Sequence, residues 1–69
     1  RDRLIMTKDR EIINLDNVLE IRASEKNVEC ELMNGFIYII QSFKTHKKAE
    51  DALDKILNQY DRGQRVIKL

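Results

Sequence analysis

The sequence predicts an α+β fold, an antiparallel meander of four to five strands followed by one C-terminal amphipathic helix packed on a sheet face. Three observations carry that expectation. Residues 18–33 alternate apolar and polar side chains in two runs. Asn34-Gly35 separates the second run from another apolar one. Six apolar residues from Ala49 to Tyr60 recur at helical spacing.

The elements follow in order. Leu4-Ile5-Met6 is an apolar triplet, Thr7-Lys8-Asp9-Arg10 is polar and turn-like, and Glu11-Ile12-Ile13 resumes the apolar pattern. Asn14-Leu15-Asp16-Asn17 then predicts a reversal or bulge, because Asn and Asp side chains hydrogen-bond their own backbone. Val18 to Ser24 places Leu19, Ile21 and Ala23 on one strand face and Glu20, Arg22 and Ser24 on the other. Such alternation marks a half-buried strand. After a turn at Ser24-Glu25-Lys26-Asn27, Val28, Cys30 and Leu32 alternate with Glu29, Glu31 and Met33. Asn34-Gly35 predicts a two-residue type I′ hairpin, in which both central residues need positive φ. It pairs Val28–Met33 with Phe36–Gln41.

Phe36-Ile37-Tyr38-Ile39-Ile40 is apolar at every position. A strand apolar on both sides is covered on both sides, and a single helix covers one. That helix is predicted over about 46 to 62, its stripe being Ala49, Ala52, Leu53, Ile56, Leu57 and Tyr60. Thr45 is the N-cap, and Gly63 suits the left-handed position after the last turn. The tail 63–69 contains Val66, Ile67 and Leu69, apolar enough to add an edge strand or dock on a partner. The sheet spans about 3–41, and the whole chain, 1–69, reads as one domain.

Size bounds the function. A core in a chain below about 70–80 residues rarely supplies more than ~3–5 kcal/mol, so such chains lean on disulfides, metal or association. There is one cysteine among the 69 residues, so no disulfide forms within the chain. His46 and Cys30 are the only soft ligands, so no metal site and no cofactor is expected. No apolar run approaches the roughly 20 residues of a membrane span, and no segment reads as a signal peptide. A single cysteine fits a reducing, cytoplasmic setting.

The net charge of +1 conceals an asymmetry. Residues 1–43 hold 6 basic and 8 acidic side chains, and residues 44–69 hold 7 basic and 4 acidic. Lys44, Thr45, His46, Lys47 and Lys48 crowd the helix start, where positive side chains oppose the helix dipole. With free backbone amides, Lys44, Thr45, Lys47 and Lys48 form a candidate anion or nucleic-acid site. The competing reading is a solvated helix start. His46 has no nucleophile or orienting group at a catalytic spacing, and Cys30 reads as a small buried hydrophobe, so no enzyme is expected. Tyr38 and Phe36 share a strand face, but the aromatic motif of RNA-binding sheets is absent.

The strings Ile13-Asn14-Leu15-Asp16-Asn17-Val18, Phe43-Lys44-Thr45 and Ala49…Ala52-Leu53…Ile56-Leu57 resemble a group of short bacterial and phage-encoded proteins. These have an extended first half and a C-terminal helix. The resemblance spans nearly the whole chain and implies a small antiparallel sheet closed by that helix, with no activity attached. A fainter similarity is to bacterial pleckstrin-homology-like domains. They too end a meander with one helix, after seven strands rather than about five.

The function expected is a non-enzymatic interaction module that self-associates, with a dimer favoured and a protein partner as a further option; the alternative is an anion- or nucleic-acid-binding protein using the basic helix N-terminus. The module's interface would be Phe36, Ile37, Tyr38, Ile39, Ile40, Val66 and Ile67, on the rule that contiguous apolar surface marks a partner.

Overall fold

The computed structural model describes residues 2–69. The fold is α+β, with six strands, a short 3-10 turn and one helix among the described residues. Strands β1 (Leu4–Met6) and β2 (Ile12–Asn14) form an antiparallel hairpin. Thr7 closes its loop: the Thr7 hydroxyl accepts from Glu11 N at 3.0 Å, and Arg10 N donates to Thr7 O at 3.1 Å. The anticipated reversal after β2 is a 3-10 turn over Leu15–Asn17, capped by Asn14, whose Oδ1 accepts from Asp16 N at 2.9 Å.

Strands β3 (Val18–Ser24), β4 (Asn27–Leu32) and β5 (Ile37–Ser42) form an antiparallel meander. Helix α1 (His46–Asp61) packs against β3 and β4. Thr45 caps it by accepting from Lys48 N at 3.1 Å, and Gly63 leaves it with φ of +79°. The tail then forms β6 (Val66–Lys68).

The strands divide into two sheets rather than one meander. One has the order β2-β1-β6 and the other β3-β4-β5. β6 pairs with β1 in parallel, Ile5 opposite Ile67. Both of these side chains are fully buried, with Val28, Cys30, Ile40, Ala49, Ala52 and Ile56 completing the core.

Four expectations change in detail. Gly35 N bonds Leu32 O and Leu32 N bonds Phe36 O, so the hairpin loop is Met33-Asn34-Gly35. Gly35 alone takes positive φ there, at +88°, while Asn34 keeps negative φ and accepts from Phe36 N. That pattern fits a turn followed by a left-handed bulge residue. Second, Leu19 is the extra residue of a bulge between Val18 and Glu20; it stays on the α1 side with Ile21 but is left exposed. Third, Leu57 and Tyr60, at the end of the helix stripe, are exposed, and the residues that the helix buries are Ala49, Ala52 and Ile56. Fourth, Ile40 and Ile67 lie in the chain's own core and are not open to a partner. A second bulge in β5, between the residues paired with Val28 and Glu29, accompanies the burial of Ile40.

Candidate functional site

The outer face of the three-stranded sheet, turned away from α1, is graded in character. Two cross-strand rows run from β3 to β5: Glu20–Glu31–Ile37 and Arg22–Glu29–Ile39. At the β3 end Arg22 gathers three carboxylates. Its Nε donates to Glu29 at 2.8 Å and its Nη1 to Glu31 at 3.1 Å, with Glu20 at 3.5 Å. Its hydrogen bonds to these carboxylates, Glu29 foremost, raise the guanidinium pKa further. The arrangement relieves the like-charge pair Glu20 and Glu31, which stand directly opposite one another. Its formal charge is −2, from three carboxylates and one guanidinium.

At the β5 end the face is apolar. Ile37 is 45% exposed and Ile39 is 52% exposed, and Phe36 follows in the turn. Tyr38 points the other way, sharing the face of Cys30, and Val66 is half-buried in β6. Of the seven expected interface residues, Ile37 and Ile39 are therefore brought to the exposed outer face, and Phe36 is exposed in the turn before β5.

The four sheet edges differ. β2 is three residues long. β6 is equally short, and Gln59 of the helix closes it: Nε2 donates to Lys68 O at 2.8 Å and Oε1 accepts from Lys68 N at 2.9 Å. β3 carries Glu20 and Arg22 and a bulge. β5 is six residues, Ile-Tyr-Ile-Ile-Gln-Ser, with no charge and no proline, and among the described residues only β4 pairs with it. Charge and proline are the usual guards against edge-to-edge pairing.

The basic helix start is less free than its sequence suggests. Lys47 pairs with Asp51 at 2.7 Å, which raises the Lys47 pKa through that hydrogen bond. His46 is partnered rather than isolated: Nδ1 meets the Glu25 carbonyl and Nε2 lies 3.3 Å from Glu50. The Thr45 hydroxyl is engaged by Lys48 N. Lys44 and Lys48 remain without an acidic partner among the described residues.

A groove of about 450 Å³ runs between α1 and the start of β3. Leu19, Leu53, Leu57 and Tyr60 line it, with Val18 and Ile56 at its floor and Glu20 on its rim. Arg3 fixes one end. Its guanidinium lies 3.6 Å over the Tyr60 ring and donates to Tyr60 O at 2.6 Å and Gln64 O at 2.9 Å. A cation on the last carbonyls of a helix is favourable. Arg3 and Gln59 were not singled out by sequence reasoning, since their partners lie 57 residues away for Arg3 and beyond a turn for Gln59.

Burial raises the Cys30 pKa, and the side chain is fully enclosed. Its thiol is a packing group. Tyr38 donates to Glu11, which pushes the phenol up to about 12. Among the described residues no three His, Cys, Asp or Glu side chains are grouped to hold a metal ion, and no helix is long and apolar enough to cross a membrane. No family model matches the chain, and no curated protein or solved structure matches it at a significant level.

Proposed function

We propose that the chain is a small non-enzymatic interaction module that self-associates, a second copy adding its β5 beside the first. The observation that carries this reading is the uncharged β5 edge, flanked by exposed Ile37, Ile39 and Phe36, where the other three edges are short, closed or charged. Edge pairing satisfies backbone donors and acceptors and brings the two isoleucine rows together on one continuous sheet face.

Electrostatics favours edge-to-edge over face-to-face association. Packing two outer faces, about 10 Å apart, would oppose two clusters of charge −2. Edge pairing leaves the two β4 strands three strand spacings apart, about 14 Å. That exceeds the Debye length of about 8 Å at physiological salt, so the repulsion is largely screened.

Sedimentation velocity across the micromolar range tests the proposal. The chain is expected to sediment as a dimer, and Ile39→Lys, which places an ammonium on the pairing edge, is expected to sediment as a monomer with unchanged far-ultraviolet circular dichroism. A wild-type mass of one chain throughout, or a dimer that Ile39→Lys leaves intact, would overturn it.

A further inference from the structure

We infer that the groove between α1 and β3 is a docking site for a Lys- or Arg-rich amphipathic helix of a partner protein, independent of the β5 edge. The groove has the volume and apolar lining of a recognition site. Its apolar residues are poorly covered by the chain itself: Leu19 is 63% exposed, Leu57 63% and Tyr60 48%. They form a continuous line, Leu53, Leu57 and Tyr60 along the helix facing Leu19 of the strand.

Charge decides what fits. On α1, Glu50, Asp54 and Asp61 occupy the strip next to Leu53 and Leu57, because residues three and four apart share a helix face. All three are exposed. Glu20 stands on the strand side of the same groove, 3.5 Å from the Arg22 guanidinium. Glu50 meets only exposed His46, and Asp54 and Asp61 have no basic partner among the described residues. An apolar floor beside the acidic rim of α1 accepts a helix with leucine-like anchors on one face and cations on its flank. The exposed hairpin tip of a second copy fits poorly. That tip, Met33 and Phe36, belongs to a stretch, residues 27–43, with two glutamates and no basic residue. That tip would bring negative charge to a negative rim.

Fluorescence anisotropy with a labelled synthetic amphipathic helix of Leu and Lys tests the inference, against the same peptide with Glu in place of Lys. The Leu/Lys peptide is expected to bind, more weakly as salt rises, and the Leu/Glu peptide is not. Leu57→Asp is expected to weaken binding at least about tenfold, as loss of a buried anchor does, although it adds a negative charge. Asp54→Lys with Asp61→Lys is expected to weaken it similarly. Both variants alter exposed positions, so the fold is retained and circular dichroism confirms it. Ile39→Lys is expected to bind the peptide as the wild type does, whatever its oligomeric state. The inference is overturned if the Leu/Lys peptide does not bind or the Leu/Glu peptide binds equally. It is also overturned if Leu57→Asp leaves binding unchanged or strengthens it, as a purely electrostatic contact would. If Leu57→Asp instead converts a wild-type dimer to monomer, a second copy fills the groove and the inference fails.

Discussion

Glu25 and Arg10 hold φ of 54° and 65°, a region that costs a residue with a Cβ roughly 1–2 kcal/mol. Both sit in hairpin turns, where the chain needs that geometry to reverse within a few residues. Glu25→Gly removes the strain and costs about 0.4–1 kcal/mol through the freer unfolded chain. The balance favours the variant, and its thermal midpoint is expected to rise by a few degrees in a circular dichroism melt. Tyr38 offers a second check at this scale. Its folded pKa is raised to about 12 from 10.0, chiefly by the hydrogen bond to Glu11. The neutral phenol is the form the fold prefers, so the contribution to stability is complete below pH 10. It is lost as pH rises toward 12 and the unfolded chain releases the proton first. An absorbance titration is expected to show one late-ionising tyrosine, and Glu11→Gln is expected to bring it down. The turn at residues 24–27 was legible because Ser, Glu, Lys and Asn interrupt two alternating runs. The φ of Glu25 was not, since glutamate carries no local preference for it.

At the scale of elements, β6 matters beyond its three residues. Ile67 is fully buried, pairs with Ile5 across a parallel ladder, and the neighbouring Lys68 backbone is held by Gln59. Ile67→Ala is expected to cost about 2–5 kcal/mol, the range for emptying a buried isoleucine site. Ile37→Ala, on the exposed side of β5, is expected to change the stability of the isolated chain by less than about 0.5 kcal/mol. Urea unfolding of the two variants measures the contrast. In a chain of this size the first loss approaches the whole stability. The helix was legible almost to the residue, because Thr45, Gly63 and the apolar stripe are all local signals. The exposure of Leu57 and Tyr60 was not. The stripe records that these residues share a side of the helix, and the reach of β3 and β4 decides how much of that side is covered.

The whole molecule exposes 4926 Å², where a folded chain of 8.2 kDa typically exposes about 4,500 Å². Much of its exposed apolar surface falls in two places, the β5 margin with its hairpin tip and the groove beside α1, with Ile12 of β2 exposed apart from both. The proposed self-association through β5 would link folding to concentration, so the thermal midpoint of the wild type is expected to rise with protein concentration and that of Ile39→Lys to stay constant. The expectation of uncovered apolar surface came from a count: one helix, and a strand apolar at all of Phe36–Ile40. Its location needed the fold, because the β5 bulge and the burial of Ile67 withdraw two of the seven expected contact residues into the core.

The sequence by itself determined the α+β class, the 18–33 strand pair, the hairpin at Gly35 and helix α1 with both its ends. Each rests on a period, a cap or a turn residue that acts over a few positions, and neighbours along the chain are enough to define it. Only the tertiary structure decided that the strands form two sheets, that β6 lies parallel to β1, and that Arg3 holds the end of α1. Those contacts join residues about 60 positions apart. They exist because burying Ile5 against Ile67 outweighs the modest entropy of closing so long a loop, a balance between distant parts of the chain that no local pattern encodes.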